Sequence, residues 1–121
     1  MKKPLVIKIG GAILDHQEEG KISALEALLS EIAKLKDQAV VLVHGGGCVV
    51  DELLAQAGFK TEKKHGLRVT PKAQIPVISG ALAGHVNKKI VANASSLGMA
   101  AVGLSLNDGN MVSCTKSDKD L

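Results

Sequence analysis

The residues of this chain that could do chemistry gather at two glycine-rich breaks. Lys8 lies inside the apolar stretch Val6-Ile7-Lys8-Ile9, and Gly10-Gly11 follow at once. The second break is sharper. Val40-Val41-Leu42-Val43-His44 runs directly into Gly45-Gly46-Gly47. A strand that ends in glycines and opens a helix aims backbone N–H groups and a positive dipole end at one point, which suits an anion. Two such turns, with a lysine two residues before one of them, suit a phosphoryl group. Taken singly, each signal also has a plainer reading. Lys8 fits a solvated lysine at a strand end, the glycines fit tight structural turns, and Arg68 fits an exposed arginine in a basic segment. His44 closes an apolar strand and reads as a hydrogen-bonded structural histidine rather than a base. Asp51 and Glu52 open a helix, where Asp51 favours the dipole.

Several other chemistries are excluded. Gly45-Gly46-Gly47-Cys48-Val49-Val50 lacks the last glycine of a G-x-G-x-x-G dinucleotide turn, and no G-x-x-x-x-G-K-S/T phosphate loop occurs. His16, His65 and His85 have no metal-ligand spacing, so no metal site is expected. No Ser–His–Asp or Cys–His pairing can be argued. Cys48 and Cys114 are far apart and read as reduced thiols of a cytoplasmic protein. A net charge of +3 with 1% aromatic residues offers no platform for stacking bases, so no nucleic-acid partner is expected. No stretch is long and apolar enough to cross a membrane as a helix. Lys8 and Gly10-Gly11 interrupt the first apolar run too early for a signal peptide.

The elements that must position these residues follow from periodicity. With hydrophobic residues at 45% and hardly any aromatics, the core must be built from Val, Ile, Leu and Ala. That is usual for parallel strands covered by helices. Leu5 to Ile9 reads as a strand, and residues 15–20 as a polar loop. Ile22, Leu25, Leu28, Leu29, Ile32 and Leu35 mark an amphipathic helix. Ala39 to Val43 is a second strand, parallel to the first through a right-handed crossover. The helix after Gly47 ends at Gly58. Lys60 to Thr70 reads as a two-stranded flap turning at Gly66. Thr70-Pro71 predicts a cap and first position for a long helix to Leu97, with a kink or a delayed start at Pro76. Met99 to Leu106 predicts a third buried strand. Asn107-Asp108-Gly109 predicts a hairpin turn, and Met111 to Thr115 the returning strand.

Together these motifs resemble the amino-acid kinase family, within it the branch that phosphorylates N-acetyl-L-glutamate. The matching stretches are Val6-Ile7-Lys8-Ile9-Gly10-Gly11, Val43-His44-Gly45-Gly46-Gly47, Gly66-Leu67-Arg68-Val69-Thr70-Pro71 and Ser79-Gly80-Ala81-Leu82-Ala83-Gly84. The first two are shared across the wider family, and the third is specific to that branch. The resemblance covers essentially all of this chain but only part of the family's pattern. It implies an α/β fold, a three-layer αβα sandwich with a mainly parallel sheet and a hairpin flap, here truncated. Residues 1–121 are then the N-terminal, N-acetylglutamate-binding part, and the C-terminal nucleotide-binding part lies outside them.

The implied reaction is ATP-dependent phosphorylation of the γ-carboxylate of N-acetyl-L-glutamate in arginine biosynthesis. The implied roles are Lys8 as catalytic residue, with Gly10, Gly11 and Gly45 around the phosphoryl group and transition state. Gly46, Gly47 and Arg68 are implied to bind substrate, any Cβ at Gly46 or Gly47 colliding with it. ATP would bring Mg²⁺, its pocket lying largely in the other half. The helix bearing Gly80 and Gly84 would cross its twin in a cytoplasmic homodimer. The 121-residue chain alone is expected to turn nothing over, serving at most as a substrate-binding fragment or anion-binding module.

Overall fold

The computed structural model describes residues 2–15 and 20–115. Most of the loop expected over residues 15–20, and with it His16, lies outside the described residues. Strand β1 (Leu5–Ile9) leads into a short helix α1 (Gly11–Asp15), then α2 (Ala24–Ala33) and strand β2 (Val40–His44). Ser23 caps α2. Its hydroxyl accepts from the Glu26 N–H, and the Glu26 carboxylate accepts from the Ser23 N–H, a reciprocal capping box.

β1 and β2 pair in parallel, with Lys8 opposite Val43 and Ile9 opposite His44. The period-2 rule then sorts their side chains. Ile7, Ile9, Val40 and Leu42 face the core, where Ile9 and Leu29 are fully buried with Leu25, Val86 and Ile90. Val6, Lys8, Val41 and Val43 face the other way and are exposed. One face of the sheet is thus covered by α2 and the later helices. Among the described residues, the opposite face carries no helix layer.

Helix α3 (Gly47–Gln56) follows the glycine triplet and buries Val50 and Leu54 in a second cluster with Ala81. The flap is as expected: β3 (Glu62–Lys64) pairs antiparallel with β4 (Leu67–Val69). Its turn is His65-Gly66, both at positive φ, 51° and 78°. Two successive left-handed residues match the twist of a tight hairpin.

The long helix arrives in pieces. A 3₁₀ turn spans Lys72–Gln74, α4 spans Ile75–Ser79, a π-helical segment spans Gly80–Val86, and α5 spans Asn87–Ser96. Pro76 sits in the first turn of α4, so the delayed start holds. The expected Thr70 cap does not form: Pro71 precedes the 3₁₀ turn, and no side chain caps it. The widened hydrogen-bond register over residues 80–86 is invisible to apolar periodicity.

Two further expectations fail at the end of the chain. Met99–Leu106 forms no strand ladder, and Met111–Thr115 does not return as one. Asn107-Asp108-Gly109 leads into a compact 3₁₀ turn over Asp108–Asn110 instead. That turn is closed by the Ser105 N–H donating to the Asp108 carboxylate at 2.7 Å. Along residues 99–106, half-buried and exposed positions still alternate strictly, as on a strand. What is missing is a hydrogen-bonding partner. Between this stretch and β2 lies an open cavity of about 1060 Å³, lined also by Asn87 and Ile90.

Candidate functional site

The parallel register builds the site. Because Ile9 stands opposite His44, the turns Gly10-Gly11 and Gly45-Gly46-Gly47 emerge side by side at one end of the sheet. That end, the carboxyl end of parallel strands, is where α/β sheets hold ligands. Each turn opens a helix, α1 at Gly11 and α3 at Gly47, and the two helices touch. No side chain caps the start of α3. Lys8 lies one residue before the end of β1 and is exposed. It has no hydrogen-bond or ion-pair partner among the described residues. A cation beside two sets of backbone N–H groups can neutralise a phosphoryl group.

The three glycines differ. A Cβ on Gly46 would come within 2.9 Å of Val86 Cγ2 and 3.2 Å of Leu82 Cδ2. The π-helical segment packed behind it is enough to require a glycine there. Gly47 and Gly45 have open space where a Cβ would go, as does Gly10. His44 behaves as read. Its Nδ1 lies 2.9 Å from the Gly45 carbonyl and its Nε2 lies 3.1 Å from Asn87 Nδ2. Asn87 Nδ2 also donates to the Leu104 carbonyl at 3.3 Å, so Nε2 accepts and Nδ1 carries the proton. The imidazole is locked between two partners and is not presented as a base.

Arg68 is placed by the flap and by α3. Its Nη1 lies 2.6 Å from Asp51 Oδ1 and donates to Thr61 Oγ1 at 3.2 Å. Thr61 Oγ1 in turn donates to Asp51 Oδ1 at 3.0 Å, closing a three-membered network. Asp51 is the fifth residue of α3, past the first turn in which a carboxylate complements the dipole, so its role is this network and not the one expected from the sequence. The Arg68 hydrogen bond beside it holds its carboxyl below the usual 3.8; partial desolvation opposes this, and Thr61 reinforces it. Asp51 follows Gly47 by four residues, so its Cα stands about 6 Å along the helix axis from the turn. Gln74 secures the flap's other root, donating from Nε2 to the Lys60 carbonyl at 3.2 Å.

Sequence reasoning missed Asp51's pairing, Thr61 and Asn87. None carries a local signature, since each acts through a partner 7 to 43 residues away. No group of three or more His, Cys, Asp or Glu side chains among the described residues could hold a metal ion. Neither cysteine is in a disulfide, and both are exposed. No described helix is long and apolar enough to cross a membrane.

Known proteins resemble this chain in sequence and in backbone. The chain is 71% identical over 119 residues to the acetylglutamate kinase of Colwellia psychrerythraea (strain 34H / ATCC BAA-681), covering 98% of this chain and 44% of that protein. It is 48% identical over 120 residues to the acetylglutamate kinase of Aeromonas salmonicida (strain A449), covering 99% of this chain and 46% of that one. The chain thus spans about half the length of the curated relatives it matches. Its backbone is similar to the crystal structure of smu.665 from Streptococcus mutans UA159, with a TM-score of 0.71 at 28% identity, over 96% of this chain and 45% of that one. The model of the amino acid kinase family matches residues 3–121. By its paired glycine turns, its parallel sheet and this match along nearly its whole length, the chain belongs to the amino acid kinase family.

Proposed function

We propose that this chain is the substrate-side part of an acetylglutamate kinase, which moves the γ-phosphoryl group of ATP onto the γ-carboxylate of N-acetyl-L-glutamate. The observation that carries the reading is the convergence of Gly10-Gly11 and Gly45-Gly47 at one sheet end beside the unpaired Lys8. The 71% identical relative supports the choice of substrate.

A carboxylate is already a nucleophile, so the reaction needs no general base. It needs positioning, and neutralisation of two anions that repel each other. Lys8 touches the transferring group as a point charge. The N–H groups around Gly10, Gly11 and Gly45 stabilise the charge that develops there. The backbone at Gly46 and Gly47 lies along the substrate. Arg68 takes its α-carboxylate through a charge-assisted, two-pronged contact. The flap over residues 60–70 closes above it. ATP supplies the phosphoryl group together with its Mg²⁺. The product, an acyl phosphate, belongs to arginine biosynthesis.

In this reading the nucleotide pocket lies in the remaining part of the fold. Two features support that. The sheet face bearing Val6, Lys8, Val41 and Val43 is uncovered, and the alternating stretch 99–106 faces β2 across a cavity without a ladder partner. Both are surfaces that further strands and helices would bury. Exposed Gly80 and Gly84 permit close approach by the same segment of a second copy, which supports a homodimer. The exposed thiols fit the cytoplasm.

The test is a chimera in which these 121 residues replace the matching stretch of the Colwellia psychrerythraea acetylglutamate kinase. Acyl phosphate formation trapped with hydroxylamine is expected, dependent on both ATP and N-acetyl-L-glutamate. A folded chimera that phosphorylates another acid in preference would overturn the reading.

A further inference from the structure

Arg68 is the only arginine in the chain. A guanidinium carries five N–H donors in a fixed plane and can meet a carboxylate along either of two edges. One is the end, Nη1 with Nη2. The other is the side, Nε with Nη2. Nη1 is engaged twice: it forms an ion pair with Asp51 Oδ1 at 2.6 Å and donates a hydrogen bond to Thr61 Oγ1 at 3.2 Å. The end is thereby consumed. The side edge keeps all its donors, and no other partner holds them among the described residues.

We infer that Asp51 and Thr61 are positioning residues that fix the Arg68 plane and leave its Nε–Nη2 edge as the carboxylate-binding edge. The inference deepens, and rests on, the reading of Arg68 as the contact for the substrate's α-carboxylate. The physical argument weighs two effects. Asp51 partly neutralises the guanidinium, which weakens its attraction for a second carboxylate. Against that, an untethered arginine must surrender its rotamer freedom on binding, and its end and side edges compete for the ligand. The geometry favours the second effect. Asp51 stands on the rigid α3, Thr61 closes the network by donating to the same oxygen at 3.0 Å, and the Arg68 side chain is only 18% exposed. Asp51 lies in the first half of α3, so the network also fixes the flap's arginine to the helix that begins at the glycine turn.

A single arginine gives a single side-chain Nε–H resonance, which can be followed by nuclear magnetic resonance while N-acetyl-L-glutamate is added to the chain. In the wild type the Nε–H proton is expected to move downfield on binding. In Asp51→Asn the dissociation constant should rise about tenfold through lost preorganisation. Asp51→Glu should recover part of that loss. Where Asp51→Asn loses its folded backbone spectrum, Thr61→Val serves instead, with a rise of about threefold. A folded Asp51→Asn or Thr61→Val chain with wild-type affinity and a wild-type Nε–H shift would overturn the positioning role while leaving Arg68 as the substrate contact. An Nε–H resonance unmoved by N-acetyl-L-glutamate in the wild type would overturn the Arg68 reading itself, and the inference with it.

Discussion

Arg68 Nη1 and Asp51 Oδ1 stand 2.6 Å apart, joining the flap hairpin to the helix that starts at the glycine triplet. The pair ties a largely exposed two-stranded flap to the rest of the fold. Its stability contribution has a definite pH signature. Arg68 lowers the folded Asp51 carboxyl below its ordinary value of 3.8. A depressed folded value stabilises fully above the unfolded value and loses that contribution as pH falls through the folded one. Asp51 is 39% exposed, so screening limits the effect to less than about 1 kcal/mol. Urea unfolding should therefore find wild type more stable than Asp51→Asn by a constant margin from neutral pH to about pH 5. The margin should close as pH falls from 3.8 downward.

Gly103 is a site of close packing, not of turn geometry. A Cβ there would lie 2.0 Å from Asn87 Oδ1 and 2.8 Å from Val91 Cγ2. Asn87 cannot step aside cheaply, because it bonds His44 and Leu104 and accepts from Lys88. Gly103→Ala should cost about 1–3 kcal/mol in urea unfolding, as overpacking does. Gly47→Ala, which meets nothing within 4 Å, should cost much less.

Lys8 separates function from stability. It is exposed and has no partner among the described residues, so Lys8→Met should change unfolding free energy by less than about 0.5 kcal/mol. In the chimera with the Colwellia psychrerythraea enzyme, Lys8→Arg should lower kcat far more than it raises KM for N-acetyl-L-glutamate. A large KM change at constant kcat would move Lys8 from the phosphoryl group to uniform substrate binding.

Much of the fold was legible because it is local. Leu5–Ile9, Ala24–Ala33, Val40–His44 and Gly47–Gln56 each declare themselves by apolar period and by a glycine or serine at the boundary. The twin glycine turns were legible for the same reason. The parts that were not legible depend on partners distant in sequence. Residues 99–106 have the alternation of a strand, yet a ladder needs a neighbour, and no residue of their own specifies one. The π-helical register of Gly80–Val86 leaves the apolar stripe intact, so periodicity cannot reveal it. Asp51 and Arg68 are 17 positions apart, on a helix and a flap, and only folding brings them together. From the sequence alone, the nearest feature to Asp51 is the helix dipole.

The most direct test of the account is a map of backbone amide shifts in this chain as N-acetyl-L-glutamate is raised to millimolar concentration. The account predicts that the largest shifts fall on Gly10, Gly11, Gly45, Gly46 and Gly47 and on the flap around Arg68, and that Arg68→Lys weakens the response at all of them together. Shifts confined to the cavity between β2 and residues 99–106, or a full response at the glycine turns in Arg68→Lys, would contradict it.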